Sequence, residues 1–127
     1  EGIDETIAMS SMYAANHLGA KVVATLTQTG KTALWMSRIS SNIAIFAMSD
    51  NYKTLKKVTI YRGVYPCYID KTSADDWNDV NSHVIENLED KSQVEKGDIV
   101  IVTKGMHKDK SGGTNLMKIL RVGDGNY

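Results

Sequence analysis

With 127 residues, 42% hydrophobic and 24% charged, the chain has the length and composition of one ordinary globular domain. Fifteen Lys and Arg balance fifteen Asp and Glu with no long block of one sign, which argues against nucleic acid as the main partner. No apolar run approaches the roughly 20 residues that a membrane span needs. The acidic start, Glu1-Gly2-Ile3-Asp4-Glu5, is unlike a signal peptide. The single Cys67 excludes an internal disulfide and fits a reducing, cytoplasmic setting; among Tyr65, Tyr68 and Ile69 it reads as a buried structural thiol. The chain lacks an initiating Met and opens close to a helical pattern, so it reads as a domain excised from a longer protein.

Ile3 to Leu18 is predicted to be a helix, with Ile3, Ile7, Ala14 and Leu18 as its apolar stripe, Asp4 and Glu5 at its start and Gly19 as its stop. Met9, Met12 and Tyr13 offer either core filling or a packing surface for another domain or subunit. His17 complements the dipole at the helix end. Lys21 to Leu26 is strand one. A helix from Ala33 to Arg38 follows, with Ala33, Leu34, Met36 and Ile39 inward and Trp35 between them. Ile43 to Met48 is strand two, an unbroken apolar run typical of a strand covered on both faces. Asp50 or Asn51 caps a short helix through Val58, and Tyr61-Arg62-Gly63 turns into strand three, Val64 to Ile69. Pro66 places that strand at a sheet edge.

A polar stretch, Asp70 to Asp76, leads into a helix from about Asp76 to Asp90 with Val80, Val84, Ile85 and Leu88 as its buried stripe. Asp98 to Thr103 contains strand four. A Gly- and Lys-rich loop, Gly105 to Gly113, connects it to strand five, Leu116 to Val122. Alternating strands and helices imply a parallel sheet with right-handed crossovers, whereas strands four and five, joined without a helix, pair antiparallel. The expectation is an α/β fold of three layers, with a five-stranded mixed sheet in the order 3-2-1-4-5. Strands one and four are its switch pair, and ligands in such sheets sit at the carboxyl ends of that pair.

One end of that pair carries the turn Thr27-Gln28-Thr29-Gly30-Lys31-Thr32, between strand one and the next helix. First-turn amides lack intrahelical acceptors, three threonine hydroxyls and Lys31 stand nearby, and Gly30 allows close backbone approach. The turn therefore reads as a phosphate site, or as a plain helix cap on an ordinary βα unit. A P-loop would place its first glycine at position 25, where this chain has Thr25 inside the strand. A phosphomonoester is thus expected, and no ATPase.

Four motifs recur in register: Leu26 to Thr32, Tyr61-Arg62-Gly63-Val64-Tyr65-Pro66, Lys96 to Val102 and Gly113-Thr114-Asn115. Together they resemble the C-terminal domain of pyruvate kinase over nearly the whole chain, most of all in bacterial members, where the opening helix also reads as Met12 to Leu18 does. The resemblance implies a domain without catalytic residues of its own. In the parent enzyme a separate barrel and lid would transfer phosphate from phosphoenolpyruvate to ADP with magnesium and potassium. It also implies a regulatory role, with a phosphorylated effector bound and a homotetramer formed, and no part for nucleic acid or membrane.

By the same resemblance Thr27, Gln28, Thr29, Gly30, Lys31 and Thr32 hold one effector phosphate, with Lys31 where Arg is common. Trp77 falls at an effector-contacting tryptophan. His83 falls near an Arg that grips a second phosphate in members regulated by fructose bisphosphate. The loop with His107, Lys108, Lys110 and Gly112 corresponds to a flexible effector loop. A neutral imidazole is a poor clamp for a dianion, so the pattern points to a sugar monophosphate or AMP. On spacing alone Trp77 also serves to cover the core, and His83 as a solvated helix residue. Two other readings stand beside the regulatory one: an assembly domain of a non-allosteric enzyme, and a free-standing nucleotide-binding protein. No His, Cys or carboxylate spacing suggests a metal site or a catalytic triad.

Overall fold

The computed structural model describes residues 2–70, 77–104, 114–125 and 127, with residues 77–79 described by backbone alone. β1 (Val22–Leu26) is buried along its whole length because it runs between two parallel neighbours. β2 (Ala44–Ser49) pairs on one side, from Val22↔Ala44 to Leu26↔Met48, and β4 (Ile99–Lys104) on the other, from Val22↔Val100 to Thr25↔Thr103. β3 (Val64–Tyr68) lies parallel outside β2, and β5 (Leu116–Arg121) antiparallel outside β4. The order β3-β2-β1-β4-β5 is the expected one.

The ladder explains how Pro66 is tolerated. The Ile45 amide bonds the Gly63 carbonyl and the Ile69 amide bonds the Ser49 carbonyl. Alternation along the strand then turns Pro66 outward, where a missing N–H removes no ladder bond. It also leaves the outer edge with one donor fewer for pairing with another chain.

α1 (Ile3–Leu18), α2 (Lys31–Ser37) and α3 (Tyr52–Val58) cover one face of the sheet. There Met12, Met36 and Val58 pack on Val23, Ala47 and Ile101. α4 (Trp77–Asp90) covers the other, where Val80, Val84, Ile85 and Leu88 meet Ala24, Met48, Val102 and Leu120. The buried stripe of α4 is the one its periodicity predicts.

The stripe of α1 is not. Its buried residues are Ala8, Ser11, Met12 and Ala15, whereas Ile3 (69%) and Leu18 (42%) are exposed. The helix is apolar on more than one side, so two sets of residues obey the helical period equally well. The sheet takes the set of mostly small side chains, which lets the helix lie close. Met12 is thereby core and unavailable as outer surface, while Met9 (56%) and Tyr13 (71%) face out. His17, also exposed, stacks on Tyr13 with ring centroids 5.8 Å apart. Gly19 ends α1 at φ +67°, and Asn51 caps α3 by accepting from the amides of Lys53 and Thr54.

Cys67 is buried in the cluster under α4, and burial pushes its thiol up from the ordinary range, against a smaller opposing effect of Lys91. The folded protein should therefore react with a thiol reagent at pH 8 roughly 100-fold or more slowly than the denatured chain. Equal rates would show that the cluster opens readily at β3.

Candidate functional site

The turn after β1 starts late. The Thr27 amide still bonds the Met48 carbonyl at 3.0 Å, so the chain leaves the sheet only at Gln28. Gly30 then takes φ +84°, a conformation that side chains with a Cβ rarely adopt. Its amide donates to Thr27 Oγ1 at 2.8 Å, and the Lys31 amide donates to Thr29 Oγ1 at 3.3 Å. The hydroxyls of Thr27 and Thr29 thus accept within the turn and help to close it. Each still carries its own proton, which those bonds do not use.

Burial divides the six turn residues. Thr27, Gly30 and Thr32 are buried, Thr29 is half-buried, and Gln28 and Lys31 are exposed. Lys31 Nζ lies 5.0 Å from the centroid of the Trp35 ring, one helical turn on. The Thr32 and Ala33 amides fall in the first turn of α2, where no intrahelical acceptor exists.

Two partners come from far along the chain. Thr32 Oγ1 and Thr114 Oγ1 form a buried hydrogen bond of 2.8 Å, which joins α2 to the entrance of β5. The carboxyl end of β1 and the segment before β5 therefore share one rim of the sheet, as the switch-pair argument expects. Beneath them Thr103 donates to Thr25 Oγ1 at 2.8 Å, so the central pair of strands also pairs its buried hydroxyls. Thr25 is an interior residue of β1, which agrees with the rejection of a P-loop. From the other side the Thr54 hydroxyl donates to the Gln28 carbonyl, fastening α3 to the turn.

The remaining candidates divide likewise. His83 lies on α4, half-buried, and its carbonyl accepts from Asn87 Nδ2 at 2.9 Å. The Trp77 side chain lies outside the described atoms, and Lys108, Lys110 and Gly112 lie outside the described residues. Among the described residues no three His, Cys, Asp or Glu side chains are grouped to hold a metal ion. No helix among the described residues is long and apolar enough to cross a membrane.

Comparison with known proteins agrees with the geometry. The family model described as "Pyruvate kinase, alpha/beta domain" matches residues 5–120. The chain belongs to this family. It is 46% identical over 123 residues to "Pyruvate kinase II" of Salmonella typhimurium and 48% identical over 123 residues to "Pyruvate kinase" of Buchnera aphidicola subsp. Schizaphis graminum. In both cases 96% of this chain is covered and 25% of the relative. Against "Pyruvate kinase" of the yeast Debaryomyces hansenii it is 28% identical, with 93% of this chain and 24% of the relative covered. The chain thus spans about a quarter of the length of the curated relatives that it matches.

Sequence reasoning missed Thr54 and Lys57 as neighbours of the turn. Thr114 lies inside a motif of the pyruvate kinase pattern, but nothing in its spacing pairs it with Thr32. A Cβ on Gly30 would lie 2.8 Å from Val58 Cγ1, 3.6 Å from Thr54 Cγ2 and 3.8 Å from Lys57 Cε. Gly63 has a similar φ of +72° with nothing within 4 Å of that position. Gly30→Ala should therefore cost about 2–4 kcal/mol, from backbone strain and overpacking together, and Gly63→Ala only about 1–2 kcal/mol. Urea denaturation of the two variants tests this, and equal losses would show that the contact with Val58 relaxes freely.

Proposed function

We propose that this chain is the regulatory domain of a cytoplasmic pyruvate kinase, cut from a longer enzyme whose other domains transfer phosphate from phosphoenolpyruvate to ADP. Its ligand is a phosphorylated effector with one phosphate, a sugar monophosphate or AMP, bound at the turn 27–32. The observation that carries this reading is the Thr32–Thr114 bond, which brings the turn and the start of β5 to one rim. An occupant there touches two segments of the chain at once.

Burial refines the roles within the turn. Gln28, Thr29 and Lys31 are accessible to an anion, whereas Thr27, Gly30 and Thr32 shape the turn from beneath. Lys31 would leave Trp35 to meet the phosphate. Its single ammonium lacks the paired donors of an Arg, which suits a weaker, one-phosphate ligand. Of the two helix residues, Trp77 keeps its proposed contact with the effector, and His83, half-buried on α4, is assigned the lesser part.

Calorimetry with ribose 5-phosphate, AMP and fructose 1,6-bisphosphate tests the proposal. A monophosphate should bind, and the bisphosphate should gain less than about tenfold over it, about 1.4 kcal/mol. A larger gain overturns the one-phosphate reading. No binding by any of the three leaves assembly as the domain's role.

An assembly role has its own support. Met9 and Tyr13 are exposed on α1, and Ile119 (47%) is exposed on β5. Ile119 pairs with Ile101, whose side chain belongs to the core under α1, so it faces the same side of the sheet. Exposed apolar groups on one layer, beside an edge strand, suit contact between subunits of a tetramer. In the full-length enzyme Tyr13→Glu combined with Ile119→Glu should shift sedimentation from tetramer toward dimer while circular dichroism stays unchanged. An unaltered tetramer would remove this face from the interface.

A further inference from the structure

Lys57 is the last lysine of α3, and the ordinary account of it is charge balance at a helix C-terminus, which Lys56 beside it provides equally well. Its position says more. The Lys57 Cε lies 3.8 Å from where Gly30 would carry a Cβ, so the end of the side-chain stem comes up against the turn. The ammonium is one bond from that carbon, about 1.45 Å. Among the described residues Lys57 makes no ion pair and no side-chain hydrogen bond. A cation with no carboxylate partner among the described residues therefore stands beside the same turn that carries Lys31.

We infer that Lys57 supplies a second cation to this turn, so that the phosphate is held between ammonium groups from two helices. The inference rests on the phosphate reading of the turn given above and assigns it a recognition residue outside the motif. Gly30 keeps α3 close enough for this, because a Cβ there would press on Val58 Cγ1 at 2.8 Å, next to Lys57 on the same helix. Two ammoniums fit the dianion of a phosphate monoester, which keeps two charged oxygens, better than the single charge of a diester. They also restore part of what Lys31 loses by lacking a guanidinium fork.

The test compares Lys57→Met, Lys56→Met and Lys31→Met by calorimetry, with ribose 5-phosphate and inorganic phosphate as probes, at two salt concentrations. Methionine keeps most of the stem and removes the charge. Lys57→Met should weaken both probes by about three- to tenfold and flatten the salt dependence of binding, with the unliganded melting temperature unchanged. Lys57→Arg should bind as the wild type does. Lys56→Met should stay within about twofold of wild type, since it removes the same charge from the same helix end. Equal weakening by Lys56→Met and Lys57→Met would overturn the inference in favour of a general charge effect. A loss with Lys31→Met but none with Lys57→Met would overturn it and leave the phosphate turn standing. No binding of either probe by the wild type would overturn both.

Discussion

The structure around the rim depends on the absence of a Cβ at Gly30. At φ +84° the chain reverses between β1 and α2, and the turn lies against Val58 and Thr54 of α3 with no room for a side chain. This contact fixes three things together. It sets where α2 begins, it brings the Thr54 hydroxyl onto the Gln28 carbonyl, and it directs the Thr27 and Thr29 hydroxyls inward onto the amides of Gly30 and Lys31. A turn that satisfies so many of its own polar groups is held before any ligand arrives. A preorganised turn of this kind spends little binding energy on ordering itself.

That rigidity has its counterpart in the sheet. β1 is bonded on both sides by parallel strands and covered on both faces, so its carboxyl end has no freedom to adjust. The paired hydroxyls of Thr25 and Thr103 continue the same logic, because buried polar groups in the central strands are tolerable only when they satisfy each other. Thr32 and Thr114 repeat the device one layer higher, across two segments that no ladder joins.

Much of this was legible from residue order. Apolar runs marked the central strands, Gly19 marked the end of α1, Pro66 marked the edge, and four motifs in register identified the pyruvate kinase family. The failures have physical causes. The inward face of α1 could not be chosen, because Ile3, Ile7, Ala14 and Leu18 keep the helical period as well as Ala8, Ser11, Met12 and Ala15 do; only close packing on the sheet selects the smaller set. The threonines of the turn were legible as hydroxyl donors, but their use as acceptors depends on how the turn closes. Lys57 carried no local signal at all. It reaches the turn only because α3 packs on Gly30, which is a fact of tertiary structure.

The arrangement also suggests how a ligand at the rim would be felt elsewhere. The proposed phosphate turn is fastened to α3 through Thr54 and to β5 through Thr114, and β5 carries the exposed Ile119 beside α1 with its exposed Met9 and Tyr13. Coupling between sites requires an element with two arrangements that both sites bias. The turn itself is too well satisfied to be that element, and β1 is locked on both sides. The antiparallel edge strand β5 has one ladder neighbour, β4, whereas β1 has two, so of the strands fastened to the rim it is the one less tightly paired. A regulatory signal from the rim would therefore be expected to run outward through Thr114 to the β5 edge rather than inward through the core.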